Sequence, residues 1–233
     1  INDNYLVLTS NSILPKGEDI LVFYDIKMET IIYPKNEMKY SFSIGINGLA
    51  LMKIENENKD KDKDILLCAC TKYISSQKNG ILLIEMNPII NDSKEINCHF
   101  YDTNEIEINC FCPIKIKKKN QFIKTNYFLV GGFDIAKRKG IIRLYKIIYI
   151  NDDIKIKYLQ DISFDNTNKF EGFNGSIKCI IQSKINGKIL VNCSDGNVSL
   201  FSRPNIDYYL NDDNDNQIIE MMKKYIALEV HQF

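Results

Sequence analysis

The sequence predicts an all-β fold of short antiparallel strands, because short apolar runs alternate with tight-turn dipeptides along most of its length. The clearest example is Phe170–Pro204, where Asn186-Gly187 separates the first two of three apolar runs and Asp195-Gly196 separates the last two. Asn-Gly and Asp-Gly supply the positive φ that tight hairpin turns demand. The stretch therefore predicts a meander of three strands joined by two hairpins. Its runs are Ile177–Ile181, Ile189–Cys193 and Val198–Phe201.

The same layout recurs upstream with a period of roughly 60 residues, which is typical of internal repeats. Runs in the third-strand position begin near Leu6, Ile65, Phe128 and Ile189, and runs in the fourth near Ile20, Ile81, Ile141 and Val198. Four antiparallel strands per repeat, with no helix between them, predict the blades of a β-propeller. The three full periods group strands that begin near Tyr40, Gly48, Ile65 and Ile81, then Glu95, Ile106, Tyr127 and Ile141, then Ile154, Ile177, Lys188 and Val198.

The remaining elements follow in chain order. Tyr5–Thr9 and Ile20–Ile26 precede the first full period and supply half a blade. Apolar and polar residues alternate in Tyr40–Ile44 and Ile154–Ile162, which indicates strands with one buried face. The chain thus holds about three and a half blades, whereas a propeller needs at least ~4, so we expect part of the ring to be missing on the N-terminal side. The other predicted strands are Gly48–Ile54, Ile65–Cys70, Ile81–Met86, Glu95–Tyr101, Glu105–Ile116, Tyr127–Phe133 and Ile141–Ile147.

The pattern changes after Pro204. An acidic stretch rich in Asn and Asp is followed by Gln217–Val230, whose apolar residues have helical spacing and which Asp215 or Asn216 can cap. We therefore predict two parts, blades over residues 1–204 and an acidic linker with a C-terminal helix over residues 205–233. The helix packs either on the propeller or on a partner, and Met221 and Met222 are its candidate partner-binding residues because methionine suits adaptable surfaces.

Composition excludes several classes of partner. Lys and Arg together number 30, as do Asp and Glu, so the formal net charge is zero and argues against bulk electrostatic binding to duplex nucleic acid or an anionic membrane. No apolar run approaches the ~20 residues of a membrane span. The seven cysteines are odd in number and lie mostly in apolar runs, which favours a reducing compartment, the cytoplasm or nucleus.

No catalytic, cofactor or metal signature stands out. Cys68 and Cys70, like Cys110 and Cys112, form Cys-x-Cys pairs inside apolar strands, whereas structural zinc needs four suitably spaced ligands, so we interpret these thiols as core residues. Gly131-Gly132 matches neither phosphate-binding glycine pattern and instead predicts a close approach of neighbouring backbone. We therefore predict no enzymatic activity, no cofactor and no metal.

One basic run offers a second candidate surface. Five lysines lie close to Phe122 and Tyr127, and a run of this composition could contact RNA or a phosphorylated partner. The competing and favoured interpretation is a solvated loop between two strands. The five lysines are Lys115, Lys117, Lys118, Lys119 and Lys124.

The run GSIKCIIQS–INGKILVNCSDGNVSLFS resembles the second, third and fourth strands of a WD-type repeat, with Asp195-Gly196 at the turn into the fourth. The chain has no Trp, and Gly172-Phe173 stands where the family has Gly-His. The resemblance therefore implies a divergent repeat in which the family's Asp-His-Ser/Thr-Trp network is not complete.

A second stretch, YFLVGGF–AKRKGIIRLYKI–IKIKYLQDI, is similar to the strand-pair pattern of the damaged-DNA-binding protein and cleavage-and-polyadenylation-factor large-subunit family. Five glycines fall at comparable points, and in that family a propeller precedes a C-terminal helical part. The glycines are Gly131, Gly132, Gly140, Gly172 and Gly175.

These observations favour a non-enzymatic protein–protein interaction scaffold within an intracellular complex. Its expected contact elements are the C-terminal helix and the loops Ser10–Asp19, Thr71–Asn79 and Asp134–Lys139, because propellers bind partners through rigidly held loops. The narrower resemblance implies a complex of pre-mRNA processing or ubiquitin-ligase assembly. Two alternatives remain open: an RNA- or nucleotide-binding module using the Lys115–Lys124 run, and an enzyme whose channel site is completed by missing blades.

Overall fold

The computed structural model describes residues 5–10, 20–25, 30–32, 44–54, 63–73, 78–86, 98–118, 121–150, 153–163, 172–202 and 214–232. The chain divides into two compact units, Ile1–Glu105 and Ile106–Phe233. Within the described residues each unit contains two antiparallel sheets. In every sheet, strands that lie side by side also follow one another along the chain.

The first unit contains a three-stranded and a four-stranded sheet. The first sheet consists of β1 (Tyr5–Ser10), β2 (Ile20–Asp25) and β3 (Thr30–Ile32). The second sheet consists of β4 (Ile44–Ile54), β5 (Lys63–Tyr73), β6 (Lys78–Glu85) and β7 (Cys98–Asn104). Its strands bury a cluster that includes Leu66, Cys68, Leu82 and Ile84.

The second unit contains two four-stranded sheets and one helix. The third sheet consists of β8 (Ile106–Lys118), β9 (Gln121–Asp134), β10 (Lys139–Ile150) and β11 (Asp153–Asp161). The fourth sheet consists of β12 (Ile177–Gln182), β13 (Ile189–Cys193), β14 (Asn197–Ser202) and β15 (Ile226–Gln232). Between β14 and β15 lies helix α1 (Asp215–Lys223).

Both turns predicted in the fourth sheet form where the sequence places them. Gly187 has φ +70° and Gly196 has φ +87°, values that glycine adopts without steric cost. The Asp195 carboxylate accepts the Asn197 backbone N–H at 3.0 Å, which fixes the second turn. These turns bring Ile181 opposite Leu190 and Leu190 opposite Leu200.

The grouping of strands into sheets differs from the prediction by one strand. The strand predicted to open each period instead closes the preceding sheet: β7 pairs with β6, and β11 pairs with β10. At the end of β7, Asn104 has φ +57° and its backbone N–H donates to the Asp102 carboxylate at 2.7 Å. A meander offers each strand an antiparallel neighbour on either side, so local pattern alone does not decide this grouping.

Strand β4 also corrects the prediction. It begins at Ile44 and continues to Ile54 with register shifts between Ile44 and Ile46 and between Ile46 and Gly48. The predicted strand Gly48–Ile54 is therefore the second part of a longer, bulged strand. Of the predicted strand Tyr40–Ile44 only Ile44 is described, and it belongs to the same strand. Bulges allow a strand to accept extra residues without losing its partner.

The C-terminal segment returns to the sheet, which corrects both the predicted helix length and the predicted boundary at residues 204 and 205. Helix α1 ends at Lys223, and β15 then pairs along β14. The residues after Tyr225 fit helical spacing, but Ile226–Gln232 also fits the alternation of a strand. The strand forms because the edge of β14 offers backbone hydrogen-bond partners to it. Residues 226–232 are thus part of the fourth sheet.

The third and fourth sheets pack together through β12, which lies against β8 and β9. Gly131 allows this approach: a Cβ there would lie 2.6 Å from Ile177 Cγ2 and 2.7 Å from Cys110 Sγ. The prediction of close backbone approach at these glycines is confirmed. The shared core includes Leu129, Ile142, Leu144, Ile180, Ile189, Val191, Phe201 and Met222.

The predicted fold class is confirmed: four-stranded antiparallel sheets follow one another along the chain as propeller blades do, and a helix lies near the C-terminus. Among the residues described, no helix is long and apolar enough to span a membrane.

Candidate interaction surfaces

One face of the fourth sheet exposes large apolar side chains, and we call it the apolar face. Ile181 is 53% exposed, Leu190 is 38% exposed, and Leu228 on β15 is 47% exposed. Because Ile181, Leu190 and Leu200 lie directly opposite one another, their row crosses β12, β13 and β14 and ends opposite Glu229 of β15. Ile226, opposite Ser202, adds to the same side.

The opposite face of this sheet is core. Along β13 the burial alternates, with Ile189, Val191 and Cys193 buried and Leu190 exposed. A sheet with apolar residues on both faces is expected where both faces are covered by protein. The apolar face therefore has the composition of a contact surface, whereas a face made for water would carry polar residues.

The structure places the predicted lysine run on a long hairpin instead of a solvated loop. Lys115, Lys117 and Lys118 belong to β8, and Lys124 belongs to β9, directly opposite Lys115. Lys119 lies outside the described residues. The side chains of Lys117 and Lys118 are likewise not described, so the surface rests on the other two.

Gln182 of β12 brings a further lysine to this hairpin. Its side-chain oxygen accepts the Lys115 backbone N–H at 2.7 Å, and its side-chain nitrogen donates to the Lys115 carbonyl oxygen at 3.1 Å. Lys184 follows two residues later in a turn closed by the Ser183 N–H bond to the Lys188 carbonyl at 2.8 Å. We call Lys115, Lys124 and Lys184 the lysine cluster.

The lysine cluster is electrostatically self-repelling. Burial lowers the pKa of Lys115, and the neighbouring ammonium groups of Lys184 and Lys124 lower it further. In the part of the chain that the structure describes, no ion pair joins any of the three amines to a carboxylate.

The aromatic residue expected to accompany these lysines is not available. Tyr127 is 1% exposed, and its hydroxyl donates to the Asp215 carboxylate at 2.9 Å. It therefore anchors the helix and cannot stack on a base. Tyr127 is one of the two aromatic residues on which the RNA interpretation depends, and the side chain of the other, Phe122, is not described.

Met221 and Met222 are not a partner surface. They are 2% and 0% exposed and pack in the core of the second unit together with Tyr225. Helix α1 is amphipathic, so its buried stripe necessarily consists of the apolar positions that the sequence pattern marks. The alternative prediction, that these residues pack against the sheets, is the correct one.

Asp215 ties helix α1 to the third sheet. Besides Tyr127, its carboxylate pairs with the ammonium groups of Lys157 at 2.7 Å and Lys146 at 3.2 Å. Burial alone would raise the pKa of Asp215, but hydrogen bonds from Lys157, Tyr127 and Lys146 outweigh it and hold that pKa below its ordinary value. Asn214 caps the helix and accepts the N–H groups of Asn216 and Gln217.

The cysteines behave as core residues, as their positions in apolar strands predict. Cys68 and Cys70 are buried, and all seven thiols are free. Burial raises the pKa of Cys112 to about 12, so this thiol is protonated at neutral pH. Among the described residues no group of three or more His, Cys, Asp or Glu side chains is placed to hold a metal ion.

The WD-like stretch contains a buried aromatic pair. Phe173, at the position of the family's histidine, packs edge-on against Phe201 with ring centroids 6.2 Å apart. Gly140 N–H donates to the Phe173 carbonyl at 2.8 Å, which holds this segment against β10. The stretch forms β12, β13 and β14, the first three strands of its sheet.

The predicted loop contacts are only partly present in the described residues. The Asp134–Lys139 connection is a tight turn in which Ile135 is 46% exposed. Most of Thr71–Asn79 lies within β5 and β6, and residues 11–19 lie outside the described part. Sequence reasoning missed the apolar face, although consecutive apolar residues such as Ile180 and Ile181 signal it, because they place apolar groups on both sides of a strand.

Comparison with known proteins gives structural neighbours only. No protein-family model matches the sequence, and no curated protein matches it. The chain is similar to the Chaetomium thermophilum Sqt1 structure, solved with the N-terminus of ribosomal protein L10, at 11% identity and TM-score 0.48, over 84% of this chain and 41% of that chain. It is also similar to the Myceliophthora thermophila Cps50 (Swd1) β-propeller domain at 12% identity and TM-score 0.41, over 97% of this chain and 68% of that chain.

Proposed function

We propose that this chain is a non-enzymatic protein–protein interaction scaffold, and that the apolar face binds an apolar surface of a protein partner. The observation that supports this proposal is the apolar face, on which Ile181, Leu190 and Leu228 are each more than a third exposed while the other face of the sheet is buried core. Burying such side chains is the main favourable term in protein association.

The partner is expected to be a protein and not a small ligand. The row crosses the strands of the sheet and is extended by Ile226, so it forms a broad surface that lacks the enclosed shape of small-molecule sites. Exposed aliphatic rows of this kind suit the desolvated centre of an interface.

The kind of complex and the cellular location that we propose rest on resemblance and composition. The strand-pair similarity to the damaged-DNA-binding and cleavage-factor family supports a complex of pre-mRNA processing or ubiquitin-ligase assembly. Seven free thiols support a cytoplasmic or nuclear location, because such thiols persist in reducing compartments.

Quantitative affinity purification tests the proposal with lysine variants on and off the apolar face. Tagged wild-type chain, the double variant I181K/L190K and the control I135K are expressed in the source cells, and co-purifying proteins are quantified by mass spectrometry. We expect a stoichiometric partner with wild type and I135K that is lost from I181K/L190K. Because Ile135 is exposed on a turn outside the apolar face, its variant controls for added charge.

Two outcomes contradict the proposal: no stoichiometric partner with wild type, or an identical partner set for all three proteins. Thermal unfolding of the purified variants accompanies the experiment. Exposed positions tolerate polar substitution within about 0.5 kcal/mol, so the double variant should remain folded.

A further inference from the structure

The lysine cluster is assembled by two different connections. The β8–β9 ladder places Lys115 opposite Lys124, and the paired hydrogen bonds of Gln182 with the Lys115 backbone bring β12 and the turn containing Lys184 to the same place. Residues 115 and 184 are far apart in the sequence, and their proximity depends on the packing of the fourth sheet against the third.

The cluster is held rigidly at its base and is free at its amines. The Lys115 backbone is fixed by β9 on one side and by Gln182 on the other, while Lys124 and Lys184 are exposed. Because the backbone under these lysines is already fixed, binding costs only the freedom of the side chains themselves.

Among the described residues, the lysine cluster differs from other lysines of this unit in having no carboxylate partner. Other lysines of this unit have carboxylate partners: Lys137 pairs with Asp134, Lys155 with Asp153 and Lys223 with Glu220. Within the described ranges the lysine cluster has none. Three like charges without a counterion are destabilising, and a bound anion would relieve that repulsion.

The chemistry favours a phosphate group on a protein over a nucleic acid. Lysine ammonium groups bind phosphate as compact point charges. Single-stranded nucleic acid is bound by stacking bases on exposed aromatic rings, and Tyr127, one of the two aromatics of the lysine run, is buried. The zero net charge of the chain likewise gives no long electrostatic track for a nucleic-acid backbone.

We propose that Lys115, Lys124 and Lys184 form a binding site for a phosphorylated segment of a protein partner. That the ligand is a protein follows from the proposed scaffold function, on which this inference rests. The lysine cluster is a surface separate from the apolar face. The phosphate dianion lies among the three amines.

Fluorescence anisotropy tests the site with the full chain at low ionic strength. The probes are a labelled Gly/Ser peptide carrying two phosphoserines, its unphosphorylated twin and a labelled oligouridine of the same length. We expect the phosphopeptide to bind at least about tenfold more tightly than the other two, with an affinity that falls as salt rises.

A matched pair of triple variants locates the binding. K115Q/K124Q/K184Q should weaken phosphopeptide binding at least about tenfold, whereas K137Q/K155Q/K223Q, which removes the same net charge, should leave it within about twofold, the precision of such a comparison. The first variant should melt no lower than wild type, because it relieves repulsion.

Equal weakening by both triple variants, equal binding of the two peptides, or tighter binding of the oligouridine would each overturn the proposal. The variant I181K/L190K separates this inference from the scaffold function. It should bind the phosphopeptide normally while losing the protein partner. Absence of phosphopeptide binding with the partner retained would overturn only the lysine site.

Discussion

Replacing Asp215 with asparagine should destabilise the second unit by removing charge from the contact between α1 and the third sheet. The asparagine still accepts the Tyr127 hydroxyl hydrogen bond, so the change removes mainly the pairs with Lys146 and Lys157. It also removes a negative charge from the first turn of the helix, where the helix dipole favours one.

The expected loss is about 2 kcal/mol. Lys157 is 51% exposed, so its pair contributes only a few tenths of a kcal/mol. Lys146 is 12% exposed and would lose its carboxylate, which costs about 1.5 kcal/mol at the low end of the range for charged hydrogen bonds, since Asp215 itself is 24% exposed. The helix-dipole contribution adds about 0.3 kcal/mol.

Chemical and thermal unfolding of Asp215→Asn and wild type measure this loss. At this chain length about 2 kcal/mol corresponds to a fall in Tm of about 4–8 °C. The control is Asp153→Asn, which removes the same charge from a 3.7 Å pair with Lys155 whose side chains are about half exposed, and it should cost under about 0.5 kcal/mol.

The pH dependence of the unfolding free energy tests the same Asp215 contact in a second way. Because the folded-state pKa of Asp215 is depressed, its contribution is present above the unfolded value of about 3.9 and is lost as pH falls through the folded value. The stability difference between wild type and Asp215→Asn should therefore shrink below about pH 4. A loss under about 0.5 kcal/mol at neutral pH, or one equal to that of the Asp153 control, would refute the reasoning.

Three further changes test the packing. Gly131→Ala should cost about 1–3 kcal/mol in unfolding free energy, because its Cβ would lie 2.6 Å from Ile177 Cγ2; an unchanged stability would mean that the sheets are not so closely packed. Tyr225→Phe should cost about 1 kcal/mol, since the buried hydroxyl donates to the Gly187 carbonyl at 2.9 Å, and a neutral result in denaturant unfolding would contradict that bond. Cys112, whose pKa burial raises to about 12, should resist iodoacetamide in the native chain and react after unfolding, as mass spectrometry of its peptide would record; rapid native labelling would contradict its burial.

Most strand positions could be predicted because most of these strands carry an apolar run bounded by turn signals. The stretch from Ile177 to Ser202 forms three strands joined at Gly187 and Gly196, as its sequence indicates. The grouping of strands into sheets could not be predicted, since it depends on which side of a strand its hydrogen bonds face, and side-chain pattern does not report this.

The surfaces were harder to predict than the fold for a related reason. Met221 and Lys115 look equally available in the sequence, yet packing buries the methionine and leaves the lysine beside two others. Lys184 belongs to the lysine cluster only because Gln182 hydrogen-bonds to β8. Long-range contacts of this kind have no local sequence signal.

A photo-crosslinking residue on the apolar face tests the central claim, that this face binds a protein partner, most directly. Leu190→benzoylphenylalanine and the control Lys155→benzoylphenylalanine, both at exposed positions, are irradiated in extract of the source cells. The account predicts one adduct of defined mass at position 190, which excess untagged wild-type chain competes away and excess I181K/L190K does not. No adduct at position 190, or the same adducts at both positions, would contradict it.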